Sequence, residues 1–328
     1  MSKKAFITGI TGQDASYLVE LLHELDYEIF GLIRGQRNPR RELFEKTYPY
    51  VTLVEGDLLD QSSLIHALNK IKPDEIYNLG AISYVARSFI EADLTAQVNG
   101  VGLIRLLESV RVLGLENKTR VYHASTSELF GKVRETPQNE TTPFHPRSPY
   151  GNAKALAHYT AVNYRESYSM FVSCGILFNH ESPRRGKEFV TRKITNSVAR
   201  INLGLQESLN LGVLTSRRDW GYAKDYVEGM WKMLQHTEPD DFVLATGEAH
   251  SVEDFVREAF NVVGISDWES YVEYDKNSTR PADVDLLVGD ATKAKEVLGW
   301  QPTIAFKDLV KIMVDSDVEQ ERSTQGHP

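Results

Sequence analysis

Residues 4–18 read KAFITGITGQDASYL, and the fold turns on how that stretch is parsed. Ala5, Phe6 and Ile7 form a short apolar run. Gly9 and Gly12 follow at once, and beyond them Leu18, Leu21, Leu22 and Leu25 recur with helical spacing. Strand, glycine turn and helix, in that order, open a parallel α/β unit. The two glycines permit a tight turn and a close approach of backbone to a ligand. Ala15 occupies the third position of the pattern, where a small residue lets helix pack on strand. A helix beginning there presents unpaired N–H groups to a phosphate. A plain turn is the competing reading, and the placement between first strand and first helix argues against it.

Outward from that stretch, short apolar runs alternate with helical patterns. EIFGLIR, VTLVEGDL, EIYNLGA, TRVYHAS and FVSCGILF read as strands. SLIHALNKIKP, TAQVNGVGLIRLLESVRVLG and SPYGNAKALAHYTAVNYRES read as helices. The runs lack polar alternation, as expected of parallel strands covered on both faces. The fold class is therefore α/β: a doubly wound, Rossmann-like parallel sheet with a smaller, interleaved α/β substrate domain. Residues 1–178 are expected to form the cofactor-binding domain and residues 179–328 mainly the substrate-binding one. The second half reads as basic loops (SPRRGKEFVTRK, LTSRRDWGY) and helices with few strong strands, and its tail EQERSTQGHP as frayed. Trp220 and Trp231 read as core residues rather than stacking platforms.

Composition narrows the function. The chain has 328 residues and a formal net charge of −9, which argues against a general nucleic-acid surface. Cys174 is the only cysteine, so no intrachain disulfide or cysteine metal cluster can form. Its surroundings, MFVSCGILF, suggest an inert core thiol. No apolar run is long enough to span a bilayer. The opening MSKKAFITG is too short in its apolar part for a signal peptide, so a cytoplasmic protein is expected.

The second strand ends in Arg34 rather than an acid. An acid there would take the ribose 2′-hydroxyl of NAD, whereas an arginine suits the 2′-phosphate of NADP. RGQRNPRRE extends the positive charge, and a solvated basic loop is the plainer reading of it. Asp57, after the third strand, suits either an adenine contact or a turn.

Two further stretches carry the chemistry. HASTSELFGKV places Ser125, Thr126 and Glu128 at a strand end, where turn formation and proton handling compete as explanations. SPYGNAK places Tyr150 and Lys154 four apart on one helix face. A nearby ammonium stabilises phenolate and so is expected to lower the tyrosine pKa from near 10. Tyr150 then suits a base for a sugar hydroxyl as hydride leaves the carbon.

Together with ETTPFHPRSPYGNAK, VNYRESY, GILFNHESPRRGKEFVTRKI, RRDWGYAKDYVEGMW and RPADVDLLVGDATKAKEVLGW, these stretches resemble the extended short-chain dehydrogenase/reductase family, and within it the GDP-mannose 4,6-dehydratases. The resemblance implies an NADP-dependent lyase that oxidises sugar C4, eliminates water across C5 and C6, and returns hydride to C6. It assigns catalysis to Thr126, Glu128, Tyr150 and Lys154. It assigns cofactor contacts to Gly9, Thr11, Gly12, Gln13, Asp14, Arg34, Asp57, Leu58, Leu79, Ala81, Ser83, Tyr150, Lys154, His180 and Arg185. It places the GDP-sugar on Ser83, Asn179, Lys193, Arg218 and Arg280, and implies no metal. For each arginine a surface salt bridge is the plainer reading. A homodimer through the Tyr150 helix, or a homotetramer, is expected.

Ile82 and Tyr84, in NLGAISYV, depart from the family pattern NLAAQSHV, which bears on the sugar pocket. A GDP-heptose is therefore an alternative substrate. A 4-epimerase or 4-ketoreductase is a second alternative, against which Glu128 argues because only an elimination needs that carboxylate. A non-catalytic NADP-binding protein would not need all four of Thr126, Glu128, Tyr150 and Lys154.

Overall fold

The structure is a computed structural model that describes residues 2–35, 38–275, 284 and 286–324. Six of the strands of the main sheet come from residues 1–178: β1 (Lys4–Thr8), β2 (Glu28–Ile33), β3 (Val51–Glu55), β4 (Glu75–Asn78), β5 (Arg120–Ala124) and β6 (Val172–Leu177). The second half contributes β7 (Asn179–Glu181), β8 (Leu209–Leu211), β9 (Arg217–Tyr222), β10 (Asp241–Leu244), β11 (Ala249–Ser251), β12 (Val272–Tyr274) and β13 (Leu286–Leu287).

The main sheet has seven strands in the order β10-β6-β5-β4-β1-β2-β3, and its paired strands are all parallel. The chain winds outward from β1 through β2 to β3, then crosses back so that β4 lies beside β1. Ligands of such sheets sit beyond the strand ends at that reversal. The strands are apolar because helices cover both faces: one buried cluster contains Ile7, Leu18, Leu22 and Tyr226, another Phe6, Leu68, Leu107 and Val121.

The helices are α1 (Gln13–Glu24), α2 (Arg40–Thr47), α3 (Gln61–Ile71), α4 (Val85–Ser88), α5 (Ala92–Thr95), α6 (Gly102–Val112), α7 (Pro149–Tyr168), α8 (Val190–Asn202), α9 (Ala223–Gln235), α10 (Val252–Val262), α11 (Thr292–Leu298) and α12 (Phe306–Thr324). A π-helical turn, Ala96–Val101, joins α5 to α6. A third apolar cluster, with Ile194, Val198, Trp220, Phe255, Phe260 and Met313, forms a core among α8, α10 and α12. Trp220 and Cys174 are buried, as expected of core residues.

Three readings of the sequence need correction. RRDWGY is not a loop but β9, at the centre of a small sheet with β7, β11 and β13. Asp219 is fully buried there, and its carboxylate accepts hydrogen bonds from the backbone N–H groups of Thr246, Gly247 and Gly289. NPRRE, residues 38–42, leads into a helix, α2. The tail is helical through Thr324, because α12 packs on α8 and Arg200 and Asn196 engage Glu321.

Candidate functional site

A cleft of about 1370 Å³ opens along the carboxyl ends of the main sheet and continues onto the small one. It exceeds the roughly 300–1,000 Å³ usual for a single ligand, so it has room for a dinucleotide and a second molecule together. At its floor Gly9 follows β1 with φ +70°. A Cβ there would lie 2.8 Å from the Gly80 backbone that follows β4, so only glycine allows the two strand ends to meet. α1 starts after Gly12 without a side-chain cap, leaving its first N–H groups directed at the cleft. Backbone donors, close approach and volume all fit a dinucleotide phosphate.

α7 carries Tyr150 and Lys154 into the cleft. Ser148 caps it by accepting from Gly151 N at 3.0 Å, and Pro149 occupies the first helical position. Tyr150 therefore sits in the first turn and Lys154 one turn later, both buried. Lys154 Nζ donates to Ala124 O at 2.7 Å, fixing the helix to the end of β5. Thr126 Oγ1 accepts from Glu128 N at 3.3 Å, and the Thr126 hydroxyl lies near enough to the Tyr150 phenol to lower its pKa. Ser125, Thr126 and Glu128 thus do form a turn, and that turn faces the cleft. The two explanations offered by the sequence are not exclusive.

The electrostatics differ from the expectation for Tyr150. Burial pushes its phenol up to about 12, aided by the Glu128 charge and only partly offset by Thr126 and Arg185. Lys154 does not reverse this: its Nζ donates to Ala124 O rather than to the phenol. Burial lowers Lys154 itself to about 8.

Across the cleft, His180 Nε2 meets Asp14 Oδ2 at 3.0 Å, with Nδ1 toward Phe178 O at 2.8 Å. Burial alone would neutralise both groups. Their attraction wins: Asp14 falls to about 2 and His180 rises. Gln13 Nε2 reaches His180 O, and Ser182 donates to Gln13 Oε1, so the glycine turn and the β7 segment are clamped together. Arg185 pairs with Glu181 at 3.1 Å and lies over the Phe189 ring at 3.6 Å. Tyr84 meets Phe189 edge to face at 5.7 Å. Asn99 grips both the N–H and C=O of Ile82 (2.8 and 3.0 Å), which fixes the loop carrying Ala81, Ser83 and Tyr84.

The cleft brings together Thr126, Glu128, Tyr150 and Lys154. It also brings in Gly9, Thr11, Gly12, Gln13, Asp14, Arg34, Asp57, Leu58, Leu79, Ala81, Ser83, His180 and Arg185, and, toward the second lobe, Asn179, Lys193 and Arg218. Asp57 spends Oδ1 on the turn N–H of Leu59 at 3.0 Å while lining the cleft. Arg280 lies outside the described residues. Residues not singled out from sequence also line it, among them Asn38, Arg40, Phe189 and Ser216. Asn38 and Arg40 were visible only as part of a basic run, and Phe189 and Ser216 carried no signal.

The model of the GDP-mannose 4,6 dehydratase family matches residues 6–313. The chain is 51% identical to GDP-mannose 4,6 dehydratase of Homo sapiens, over 97% of this chain and 92% of that protein. It is 52% identical to GDP-mannose 4,6 dehydratase 1 of Arabidopsis thaliana, over 97% and 90%. Among solved structures it resembles Thermus thermophilus UDP-glucose 4-epimerase in complex with NAD (TM-score 0.83, 24% identity, 96% of this chain and 98% of that one). It also resembles RMD from Pseudomonas aeruginosa in complex with NADPH (TM-score 0.79, 21% identity, 97% and 100%). At those identities the structural matches establish the fold.

Proposed function

The chain belongs to the GDP-mannose 4,6-dehydratase family, and from that premise we propose that it converts GDP-mannose to GDP-4-keto-6-deoxy-mannose with NADP as resident cofactor. The observation that carries the reading is the meeting of Thr126, Glu128, Tyr150 and Lys154 in a cleft whose floor is a dinucleotide-type glycine turn. When bound, NADP supplies the acceptor for the C4 hydride and the donor of the same hydride to C6. Tyr150 takes the O4 proton as C4 becomes a ketone, and Thr126 orients O4 and steadies the phenolate. A phenol held at about 12 needs added positive charge beside it before it acts as a base, and oxidised nicotinamide is cationic. Lys154 holds the end of β5 and offers its ammonium to the cofactor ribose. The new ketone acidifies C5–H. Glu128 removes that proton and protonates O6 as the C6–O bond breaks and water leaves. A proton returned to C5 completes a reaction with no net redox change.

Residues 1–178 take the cofactor in this reading and residues 179–328 mainly the GDP-sugar, with Asn179, Lys193, Arg218 and Arg280 directed to it and His180 and Arg185 to the cofactor. Exposed Leu156 and Tyr159 on α7 support self-association along that helix. None of the helices among the described residues is long and apolar enough to cross a membrane.

Purified protein incubated with GDP-mannose and no added cofactor is expected to yield a product lighter by one water, read by mass spectrometry, without accumulating NADPH. An unchanged mass, or stoichiometric NADPH, contradicts the proposal. Cofactor choice has its own test. Arg34 follows β2 and lines the cleft with Asn38 and Arg40, where a 2′-phosphate would sit. Arg34→Asp is expected to shift preference from NADP toward NAD by about tenfold or more, the scale of one charge-assisted contact of ~1.5–3 kcal/mol. Unchanged relative affinities in a titration would assign the phosphate to another residue.

A further inference from the structure

Three consecutive residues at the end of β5 are each tied to a different turn of α7. Thr126 stands beside Tyr150 and tempers the rise in its phenol's pKa, Ala124 O accepts from Lys154 at 2.7 Å, and Ser125 Oγ lies 3.2 Å from His158 Nδ1. Tyr150, Lys154 and His158 are spaced by four, so they form one stripe along the helix. The third rung is as buried as the other two: Ser125 and His158 are each 4% exposed. Beyond it, His158 Nε2 faces Asp241 Oδ2 at 3.6 Å. Asp241 opens β10 and is gripped by both terminal nitrogens of Arg165, at 3.0 and 2.9 Å. A carboxylate facing Nε2 favours the proton there, which leaves Nδ1 as acceptor for the Ser125 hydroxyl.

His158, Cys174 and Asp241 lie close enough to suggest a metal site. The guanidinium of Arg165 already fills the cation's place on Asp241. Burial also holds the Cys174 thiol protonated, where a metal would need a thiolate. A histidine that merely fills the core is the other reading, and it gives no reason for Nδ1 to meet a hydroxyl in the loop of Thr126 and Glu128.

We propose that His158 is a positioning residue for catalysis: anchored by Asp241, its Nδ1 holds Ser125 and thereby sets the Thr126–Glu128 loop in register with Tyr150 and Lys154. The inference rests on the dehydratase reading. Ser125→Ala, His158→Phe and the double variant test it with GDP-mannose as substrate, after wild-type turnover has been measured. Each single variant is expected to lower kcat by about tenfold, the scale of one hydrogen bond, with KM roughly unchanged. The double variant is expected to lose no more than His158→Phe alone, and His158→Asn, which keeps an acceptor near Nδ1, to recover most of kcat. A displaced Thr126 no longer offsets the rise in the phenol's pKa, so the rising limb of kcat against pH moves to higher pH. Glu128, Arg185 and Asp14, the other charged groups acting on Tyr150, stay in place. A double-mutant cycle on thermal unfolding should be non-additive.

Multiplicative losses in kcat, or a change in unfolding temperature alone with kcat intact, overturn the proposal. If His158→Phe does not fold, Ser125→Ala decides: wild-type kcat and pH profile overturn it, and the tenfold loss with the shifted limb supports it. Wild-type protein that does not dehydrate GDP-mannose overturns the functional reading and this inference with it. Normal wild-type turnover with unaffected variants overturns this inference alone.

Discussion

Glu128→Gln is expected to cut GDP-mannose turnover by about 10²–10⁴-fold, the usual contribution of a general acid–base group, while leaving cofactor binding and unfolding temperature near wild type. The substitution keeps the side chain's shape and the bond from Glu128 N to Thr126 Oγ1 at 3.3 Å. It removes the capacity to take and give a proton, together with the charge that helps raise the Tyr150 pKa. Glu128 stands half-buried at the cleft wall, beside Thr126 and close enough to Tyr150 for its charge to raise the phenol's pKa. In deuterated water the wild-type reaction should place deuterium at C5, and the variant should do so only at its reduced turnover. Near-normal turnover would remove Glu128 from the chemistry and return the turn to a structural role.

The second large effect is on stability and comes from the other lobe. Asp317 on α12 is fully buried, and Arg192 on α8 nearly so. They pair directly, Thr195 donates to Asp317 at 2.7 Å, and Arg192 Nε reaches Pro183 O at 3.0 Å. Asp317→Ala leaves the guanidinium buried without its carboxylate, and urea unfolding should register a loss of about 3–5 kcal/mol. Replacing both, with Asp317→Leu and Arg192→Met, should recover much of it, because the cost lies in the stranded charge rather than in the missing pair. A loss under about 1 kcal/mol for Asp317→Ala would mean that water reaches Arg192. Since Arg192 also holds the loop leading to Arg184 and Arg185, weaker cofactor binding should accompany the loss.

Six of the seven strands of the main sheet were legible because they are covered on both faces; β10, which comes from the second half, was not among them. Runs such as AFI and VSCGIL have no polar alternation to confuse them with surface, and the glycine turn announced where the first helix starts. β9 was not legible, for the opposite reason. Arg217, Arg218 and Asp219 look like a solvated loop until Asp219 is seen to collect backbone donors from Thr246, Gly247 and Gly289. Those partners lie 27 to 70 residues away, beyond any local pattern. The four residues that meet at the cleft wall, Thr126, Glu128, Tyr150 and Lys154, were legible by residue type and spacing. The state of Tyr150 was not, because the pairing rule for Tyr150 and Lys154 ignores burial, and burial is the larger effect at this site. His158 drew no notice because its partners, Ser125 and Asp241, come together only when β5, α7 and β10 are assembled.

The most direct test of the central claim follows one hydrogen atom. GDP-mannose carrying deuterium at C4 would be incubated with the protein in ordinary water, and the product examined by NMR and mass spectrometry. The account predicts a product lighter by one water, with the deuterium now on C6 of the sugar and a solvent-derived hydrogen at C5. Deuterium still at C4, or missing from the sugar, or a product that has lost no water, would contradict it.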